Sequence, residues 1–304
     1  MKKEFVKCNL CGADDYAVVR EGKQDALGPR DIYSSSKGVM SQDRIVRCKR
    51  CGLAYVNPRF KSDVITDAYA EAEDEVYISQ AENRMATFRK GMGLIEQRTG
   101  LKKGRILDVG CAAGFFLKAA KERGWQADGV EPNKWLVQYG NEEFGLRMKA
   151  TTLKGAKFPS NSFDVVTMWD VLEHTTDPMG ELKEARRVLK KGGYLLVNIP
   201  DSDSTFARVF GTRWWFVLSV HLYYFTSRTL RAMLEKGGFR VALKKRYFQT
   251  LELGYLIRML KHLAKNPLGS IASDTMNSAA GVLGVRRFPV TYYAGQTLFL
   301  ARKE

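Results

Sequence analysis

The residues able to do chemistry in this sequence are few: five cysteines, three histidines, and a small set of carboxylates placed beside glycine turns. Four of the cysteines form two knuckles, Cys8-Asn-Leu-Cys11-Gly12 and Cys48-Lys-Arg-Cys51-Gly52. A C-x-x-C turn aims two thiolates at one point. Two such turns brought together offer the tetrahedral donor set of a closed structural zinc site, with no position left open for catalysis. The 36 residues between the pairs require a long hairpin or loop, for which segments 39–46 and 53–56 would supply strands. The fifth cysteine, Cys111, lies in a different setting. It follows Ile106-Leu107-Asp108-Val109-Gly110 and precedes Ala112-Ala113-Gly114, where an apolar strand turns sharply into a helix.

That turn is not a dinucleotide fingerprint. The glycine steps expected there fall on Gly110, Ala112 and Phe115, so two of three fail. Asp108 also puts a carboxylate where a pyrophosphate would approach, which disfavours an anion and favours an ammonium. The Gly110 turn still permits close backbone approach, and the helix start after it can hold a carboxylate. Twenty-one residues beyond Gly110, Glu131 ends the next strand, placed to accept both hydroxyls of a ribose. Ammonium, carboxylate and ribose together describe S-adenosylmethionine.

The run LDVGCAAGFF, GVEP, FPSNSFDVVTMWDVLEH and LKKGGYLLVNIP, in order across about 105–200, resembles the class I S-adenosylmethionine-dependent methyltransferases. With the knuckles in front, the layout is similar to the ubiquinone-type and polysaccharide-cluster methyltransferases that carry an N-terminal zinc-knuckle domain. The resemblance implies a doubly wound, Rossmann-like α/β fold with a seven-stranded sheet whose final strand is inserted antiparallel. It also implies a cofactor-binding set of Asp108, Gly110, Cys111, Ala112, Gly114, Glu131, Pro132 and Asp170. Within that set, Asp108, Gly110 and Gly114 would meet the methionine part and Glu131 the ribose. Ala112 departs from a frequent glycine. The segment Ala150-Thr151-Thr152-Leu153 lacks the acid or amide that often meets adenine, leaving backbone contacts from Thr152 or Leu153.

Methyl transfer to a hydroxyl needs alignment and a proton acceptor. His174 closes Asp170-Val171-Leu172-Glu173-His174 directly after a strand, and His221 closes an aromatic stretch from Trp214. Both are candidate catalytic bases. The DVLEH segment also resembles an acid-x-x-Glu-His arrangement in the ubiquinone-type enzymes, by which Asp170, Glu173 and His174 could hold a divalent ion such as Mg²⁺. His262 sits among cations and reads as solvated.

The elements that must position these groups follow from periodicity. Segments 105–109, 126–130, 163–169 and 194–199 read as buried strands, and 113–123, 132–144 and 178–189 as the helices between. Gly192-Gly193 reads as the end of the third of these helices. Residues 228–236 and 239–246 continue the alternation, and 296–302 form a last strand. The division expected is a zinc-ribbon-like unit over 1–57, a helical connector over 58–100, and a methyltransferase domain over 101–304, with a cap at 201–230 and an amphipathic insert at 250–292. In that insert Leu253, Leu256, Ile257, Leu260 and Leu263 share one face, opposite Arg258, Lys261, His262 and Lys265.

The composition of the 304 residues, 45% hydrophobic and 27% charged, excludes a disordered tail, a fibre and a disulfide miniprotein. The net charge is +16, half of it over residues 240–304. Such an excess suits nucleic acid, an anionic membrane surface or an acidic acceptor. The expected function is methylation, chiefly O-methylation, of a small-molecule, sugar or lipid-linked acceptor in a bacterial biosynthetic pathway. RNA methylation through the knuckle and basic surface is the first alternative, and a non-catalytic zinc-dependent interaction protein the second. Nucleic acid fits less well because the basic residues alternate with Leu and Ile rather than base-stacking aromatics. Without a signal-like start or a spanning segment, the expected location is cytoplasmic, with peripheral contact at the inner face of an anionic membrane through the basic amphipathic insert.

Overall fold

The structure is a computed structural model and describes residues 3–23, 40–41, 43–70, 75–264 and 267–304, with the side chains of 259–270 excluded. The expectations for Val39, Leu260, Lys261, His262, Leu263 and Lys265 therefore lie outside the described residues. Among the described residues the N-terminal part carries the short strands β1 (Lys3–Glu4), β2 (Tyr16–Arg20), β3 (Ile45–Cys48), β4 (Ala54–Val56) and β5 (Arg59–Phe60). Three helices follow, α1 (Ser62–Ala70), α2 (Glu75–Ile78) and α3 (Ala81–Thr99). The knuckles stand at the near ends of the β2–β3–β4 hairpin, where Cys48 N donates to Leu53 O and Cys8 N to Ala13 O, both at 2.9 Å. Gly12 and Gly52 take φ of 77° and 81°, a region open to glycine at little cost.

A strand–helix alternation then begins: β6 (Arg105–Val109), α4 (Phe115–Glu122), β7 (Gln126–Glu131), α5 (Lys134–Phe144), β8 (Met148–Ala150), β9 (Phe163–Trp169), α6 (Pro178–Val188) and β10 (Leu189–Pro200). After it come α7 (Thr205–Phe210), β11 (Tyr223–Tyr224), α8 (Ser227–Lys236), β12 (Phe239–Arg246), β13 (Gln249–Glu252), α9 (Leu253–Ala264), α10 (Pro267–Val282), β14 (Pro289–Tyr292) and β15 (Gln296–Lys303). The seven-stranded sheet runs β12-β15-β10-β9-β6-β7-β8. Strands β8, β7, β6, β9 and β10 are mutually parallel, and β15 enters antiparallel between β10 and β12. Both the seven strands and the reversed insertion match the expected α/β architecture. The sheet is buried on both faces: Ile106, Leu107, Val165, Val166, Leu195 and Leu196 are wholly inaccessible, as parallel strands covered by helices require.

Two local expectations need correction. Gly192-Gly193 does not end a helix. Helix α6 stops at Val188, where Leu189 N bonds back to Ala185 O and turns extended at φ −68°, ψ 140°. Leu189 is fully buried and already paired with Phe163, so the glycines fall inside β10, within a register shift between Leu189 and Tyr194. Gly192, at φ 74°, supplies the conformation that such a bulge needs. The expected strand over 39–46 begins instead at Ile45, and Met40 makes only an isolated bridge to Leu218.

The knuckle hairpin and the cap share one sheet, of order β11-β4-β3-β2, in which Tyr223 pairs with Tyr55 and Tyr224 with Ala54. Arg59 fastens the same corner, donating to Thr176 O at 2.9 Å and to the Tyr223 hydroxyl at 3.1 Å. The insert is clamped at its base by a two-stranded ribbon, β13 against β14. In α9, Ile257 is buried and Arg258 exposed, as the amphipathic pattern predicts.

Candidate functional site

The C-terminal ends of β6, β7 and β9 open on a cavity of about 610 Å³. Because these strands are parallel, their last residues gather at one edge of the sheet, where such folds place ligands. Asp108, 2% exposed, accepts the Thr167 hydroxyl at 2.6 Å. The turn after it is pinned by Gly110 N and Cys111 N, which donate to Val130 O at 2.8 and 3.2 Å. Gly110 is at φ 68°, and a Cβ there would come within 2.7 Å of Val171. Ala112 follows at φ 45°, so the frequent glycine position still takes a left-handed backbone and Ala112 holds it at a strain of roughly 1 kcal/mol. Its N–H donates to one Glu131 oxygen and the Asn133 N–H to the other, each at 3.0 Å.

Asp108 and Glu131 therefore face one cavity as two buried carboxylates. Burial raises both above the ordinary carboxylate range, and the Glu131 charge raises Asp108 further. A ligand bringing an ammonium to one and a ribose diol to the other would relieve that cost, so the residues fit S-adenosylmethionine. Cys111, Ala112, Pro132 and Asp170 line the same cavity, as do Thr151, Thr152 and Leu153 at its far wall. Gly114 does not line it. A Cβ on Gly114 would overlap Leu146 and Met148, which makes it a point of close helix-to-strand packing. Cys111 is 4% exposed and burial pushes its thiol well up, consistent with packing rather than nucleophilic chemistry.

The same cavity is also lined by Glu173, His174 and His221. Glu173 is 1% exposed, and neither carboxylate oxygen has a hydrogen-bond partner among the described residues. Burial and the neighbouring Asp170 push its carboxyl well up. His174 directs Nδ1 at Val220 O (3.2 Å), with the Tyr69 hydroxyl 3.1 Å from the same atom. His221 directs Nδ1 at Phe216 O at 2.8 Å. The two rings meet edge to face at 4.6 Å. Burial lowers His174 to about 4 and holds His221 well below the usual range, His174 adding to the second effect. Both imidazoles are thus neutral at pH 7; at His221 the Phe216 carbonyl can only accept, which places the proton on Nδ1, whereas His174 Nδ1 faces both a carbonyl and the Tyr69 hydroxyl.

Asp170 is differently engaged. At φ 52°, it accepts from the Asn198 and Gln296 amides at 2.8 and 2.7 Å, and burial outweighs these bonds to raise it to about 6. The divalent-ion set expected at Asp170, Glu173 and His174 is therefore corrected: the groups whose ligand atoms lie within 4.8 Å of one another are Glu173, His174 and His221. Sequence reasoning missed Arg84, on α3. It lies over the Tyr77 ring at 4.0 Å and lines the cavity together with Tyr247, Tyr255 and Tyr292. Its Nε has no hydrogen-bond partner among the described residues. Nothing in the local sequence marks it, because it sits on an ordinary helix that only the tertiary fold brings to the site.

The knuckle cysteines do converge. Cys8 and Cys51 sulfurs are 3.4 Å apart, Cys11 and Cys48 are 3.5 Å apart, and all four lie within 4.8 Å of one another without a disulfide. A tetrahedron of thiolates at about 2.3 Å from zinc has edges of about 3.8 Å, so the donor set fits zinc with small adjustment. Without a cation the thiols compete for one another: burial pushes Cys8 up to about 11, whereas backbone N–H groups and the neighbouring thiols outweigh burial to bring Cys48 to about 7.

The family model described as a methyltransferase domain matches residues 77–244. An uncharacterised methyltransferase of Schizosaccharomyces pombe is 39% identical over 113 residues, which cover 31% of this chain and 39% of that protein. A ubiquinone biosynthesis O-methyltransferase of Pseudomonas aeruginosa is 28% identical over 110 residues, covering 34% of this chain and 47% of that enzyme. The chain thus spans less than half the length of these curated relatives. Among solved structures, an S-adenosylmethionine-dependent methyltransferase of Thermotoga maritima has the same fold at 22% identity and a TM-score of 0.50, over 76% of this chain and 94% of that one. The family match takes in more than half of the chain and every strand end that opens on the cavity, and the chain belongs to the methyltransferase-domain family.

Proposed function

We propose that the protein transfers a methyl group from S-adenosylmethionine to a hydroxyl of a small-molecule, sugar or lipid-linked acceptor. The observation that carries this reading is the single cavity joining the Asp108–Glu131 pair to the Glu173–His174–His221 cluster. When bound, the cofactor would supply an electrophilic methyl on a sulfonium. Asp108 and Glu131 would hold its ammonium and ribose, and the Gly110 turn would let the backbone approach it. The acceptor hydroxyl would lie toward His174 and His221, whose neutral imidazoles can accept a hydrogen bond from it and orient it. The likeness to an O-methyltransferase of ubiquinone biosynthesis supports oxygen as the acceptor atom. Arg84 and Arg258, which line the same cavity, support an acceptor that carries an anionic group. On α10 and the turn after it, Ile271, Met276, Val282 and Leu283 are exposed next to exposed Arg286 and Arg287. That pairing of apolar and basic side chains supports peripheral docking on an anionic membrane. No helix among the described residues is long and apolar enough to cross one.

The test follows tritium from methyl-labelled S-adenosylmethionine into lysate fractions. Label in soluble metabolites or lipid is the expected outcome, and label in lipid alone singles out a lipid-linked acceptor. Label in RNA would overturn the acceptor class. Absence of S-adenosylmethionine binding by calorimetry would overturn the enzymatic reading.

A further inference from the structure

We propose that Arg84, Tyr247, Tyr255 and Arg258 form a subsite for a phosphate group on the acceptor, an assignment that rests on the methyl-transfer reading above. Gln80, the N-cap of α3, falls on one side of that helix with Arg84 and Thr87. The first and last of these clip the base of the insert to the helix. Gln80 Oε1 accepts from Glu252 N at 3.3 Å, and Thr87 Oγ1 from Thr250 N at 2.9 Å. Arg84, between the clips, is thereby turned toward β13 and the cavity, with its guanidinium over the Tyr77 ring at 4.0 Å. Its Nε is buried and has no hydrogen-bond partner among the described residues. The Asp170 charge reaches Arg84, but that carboxylate is engaged by the amides of Asn198, Gln296 and Gln249. A buried donor left without an acceptor is costly. An anion arriving through the cavity would supply one.

The insert supplies the second cation. Tyr255 and Arg258 are three residues apart on α9 and share a side of that helix. Both line the cavity, and Arg258 is exposed where the cavity meets solvent. Tyr292 ties the two elements together: its hydroxyl donates to Gln249 Oε1 at 3.2 Å, and it lies within the electrostatic reach of Arg84, Tyr255 and Tyr247. Burial outweighs the Arg84 charge at Tyr247 and keeps that phenol protonated, a hydrogen-bond donor in the cavity wall. Two guanidiniums and phenol donors select the anion. A phosphate monoester carries about −1.5 to −2 charges at neutral pH and presents three acceptor oxygens. A carboxylate would satisfy one guanidinium fork and leave the other cation unmatched. Of the four residues, Arg84 lies within the stretch matched by the methyltransferase-domain model, and the other three follow residue 244, where that match ends. Asp108 and Glu131 stand on the large sheet, so the cofactor is held by the common fold and the acceptor is chosen by this chain's insert.

The test is calorimetric binding of inorganic phosphate to the intact protein, compared with acetate at equal ionic strength. Saturable phosphate binding, about tenfold or more tighter than acetate, is expected. Arg84→Gln and Arg258→Gln should each weaken it about tenfold. Arg240→Gln, in the separate basic groove beside Lys191 and Arg302, should leave it unchanged. Phosphate binding that does not saturate, equal affinity for acetate, an unchanged Arg84→Gln, or an equal loss in Arg240→Gln would each overturn the subsite. S-adenosylmethionine binding on the same samples shows that the variants are folded and tests the methyl-transfer reading separately. Its absence beside the expected phosphate results would remove that reading and leave an anion site. Mass spectrometry of the labelled product distinguishes the sources of the phosphate. A phosphorylated product in the soluble fraction identifies a soluble phosphorylated acceptor, and one in the lipid fraction a lipid-linked phosphate. A labelled product without phosphorus would overturn the proposal. Neither this measurement nor the wild-type comparison with acetate needs a variant to fold.

Discussion

Glu131 is held by two backbone N–H groups and Asp108 by one hydroxyl, yet both remain raised by burial. They are poised for a cationic, hydroxyl-rich ligand. Asp108→Ala and Glu131→Ala should each weaken S-adenosylmethionine binding about ten- to a hundredfold in calorimetry, the worth of one charged hydrogen bond. Unchanged affinity in both would remove the assignment. Glu181 offers an independent pH prediction. Burial, with Asp177 and Glu184 nearby, raises it to about 7, and its Oε2 has no partner among the described residues. The folded state keeps a proton there that the unfolded state has already released, so this residue costs stability as pH rises from about 4.5 to about 7. Glu181→Gln should raise Tm at pH 8 by the equivalent of roughly 1–3 kcal/mol and leave it nearly unchanged at pH 4. Equal shifts at both pH values would show that the gain is not electrostatic. Asp108, Glu131, Glu173 and the histidines were legible in sequence because each stands at a strand end or in a short motif. The partnership of His221 with Glu173 was not, because it is made by the cap folding back over the sheet edge.

At the scale of elements, the parallel strands were the easiest to read. Their unbroken apolar runs, such as Phe163–Trp169, leave little choice but a sheet covered on both faces. The short strands were hidden for the opposite reason. β2 is exposed at three of its five positions, and β13 and β14 are ribbons of four residues each. They take their structure from pairing partners rather than from their own pattern. The bulge at Gly192 misled the reading of the α6 end because a glycine pair after a helix usually stops it. The contact of α4 with β8 gives a sharp test. Gly114→Ala would force a side chain into φ 78° and into Leu146 and Met148, costing roughly 2–4 kcal/mol in chemical unfolding. Ala112→Gly relieves strain at φ 45° while adding unfolded-state entropy, so its net effect should stay within about 1 kcal/mol.

For the whole molecule, the shared β11-β4-β3-β2 sheet joins the knuckles to the wall that carries His221. Leu222 N and Tyr223 N both donate to Glu173 O, at 2.7 and 3.1 Å, and Val56 N donates to Leu222 O at 2.9 Å. A hydrogen-bonded path therefore runs from the knuckle hairpin to Glu173 in the cavity lining, while Asp108 and Glu131 are carried by the large sheet. Cys48→Ser should lower Tm by at least several degrees, at about 2–4 °C per kcal/mol lost. It should also reduce methyl transfer more than S-adenosylmethionine affinity. An equal loss of both would show that these two parts of the cavity lining are not separately supported.

The pairing of Tyr55 with Tyr223 also fixes an order of events during synthesis. The β2–β3–β4 hairpin is made well before the strand that covers β4. Until then β4 is an open edge, with Tyr55 and Val56 awaiting burial, and an uncovered strand of that kind invites pairing with another nascent chain. Zinc captured by the knuckles would keep the hairpin folded and in register through that interval. The metal would then matter most before the enzyme is complete, and cells starved of zinc would lose this protein to aggregation while it is being made.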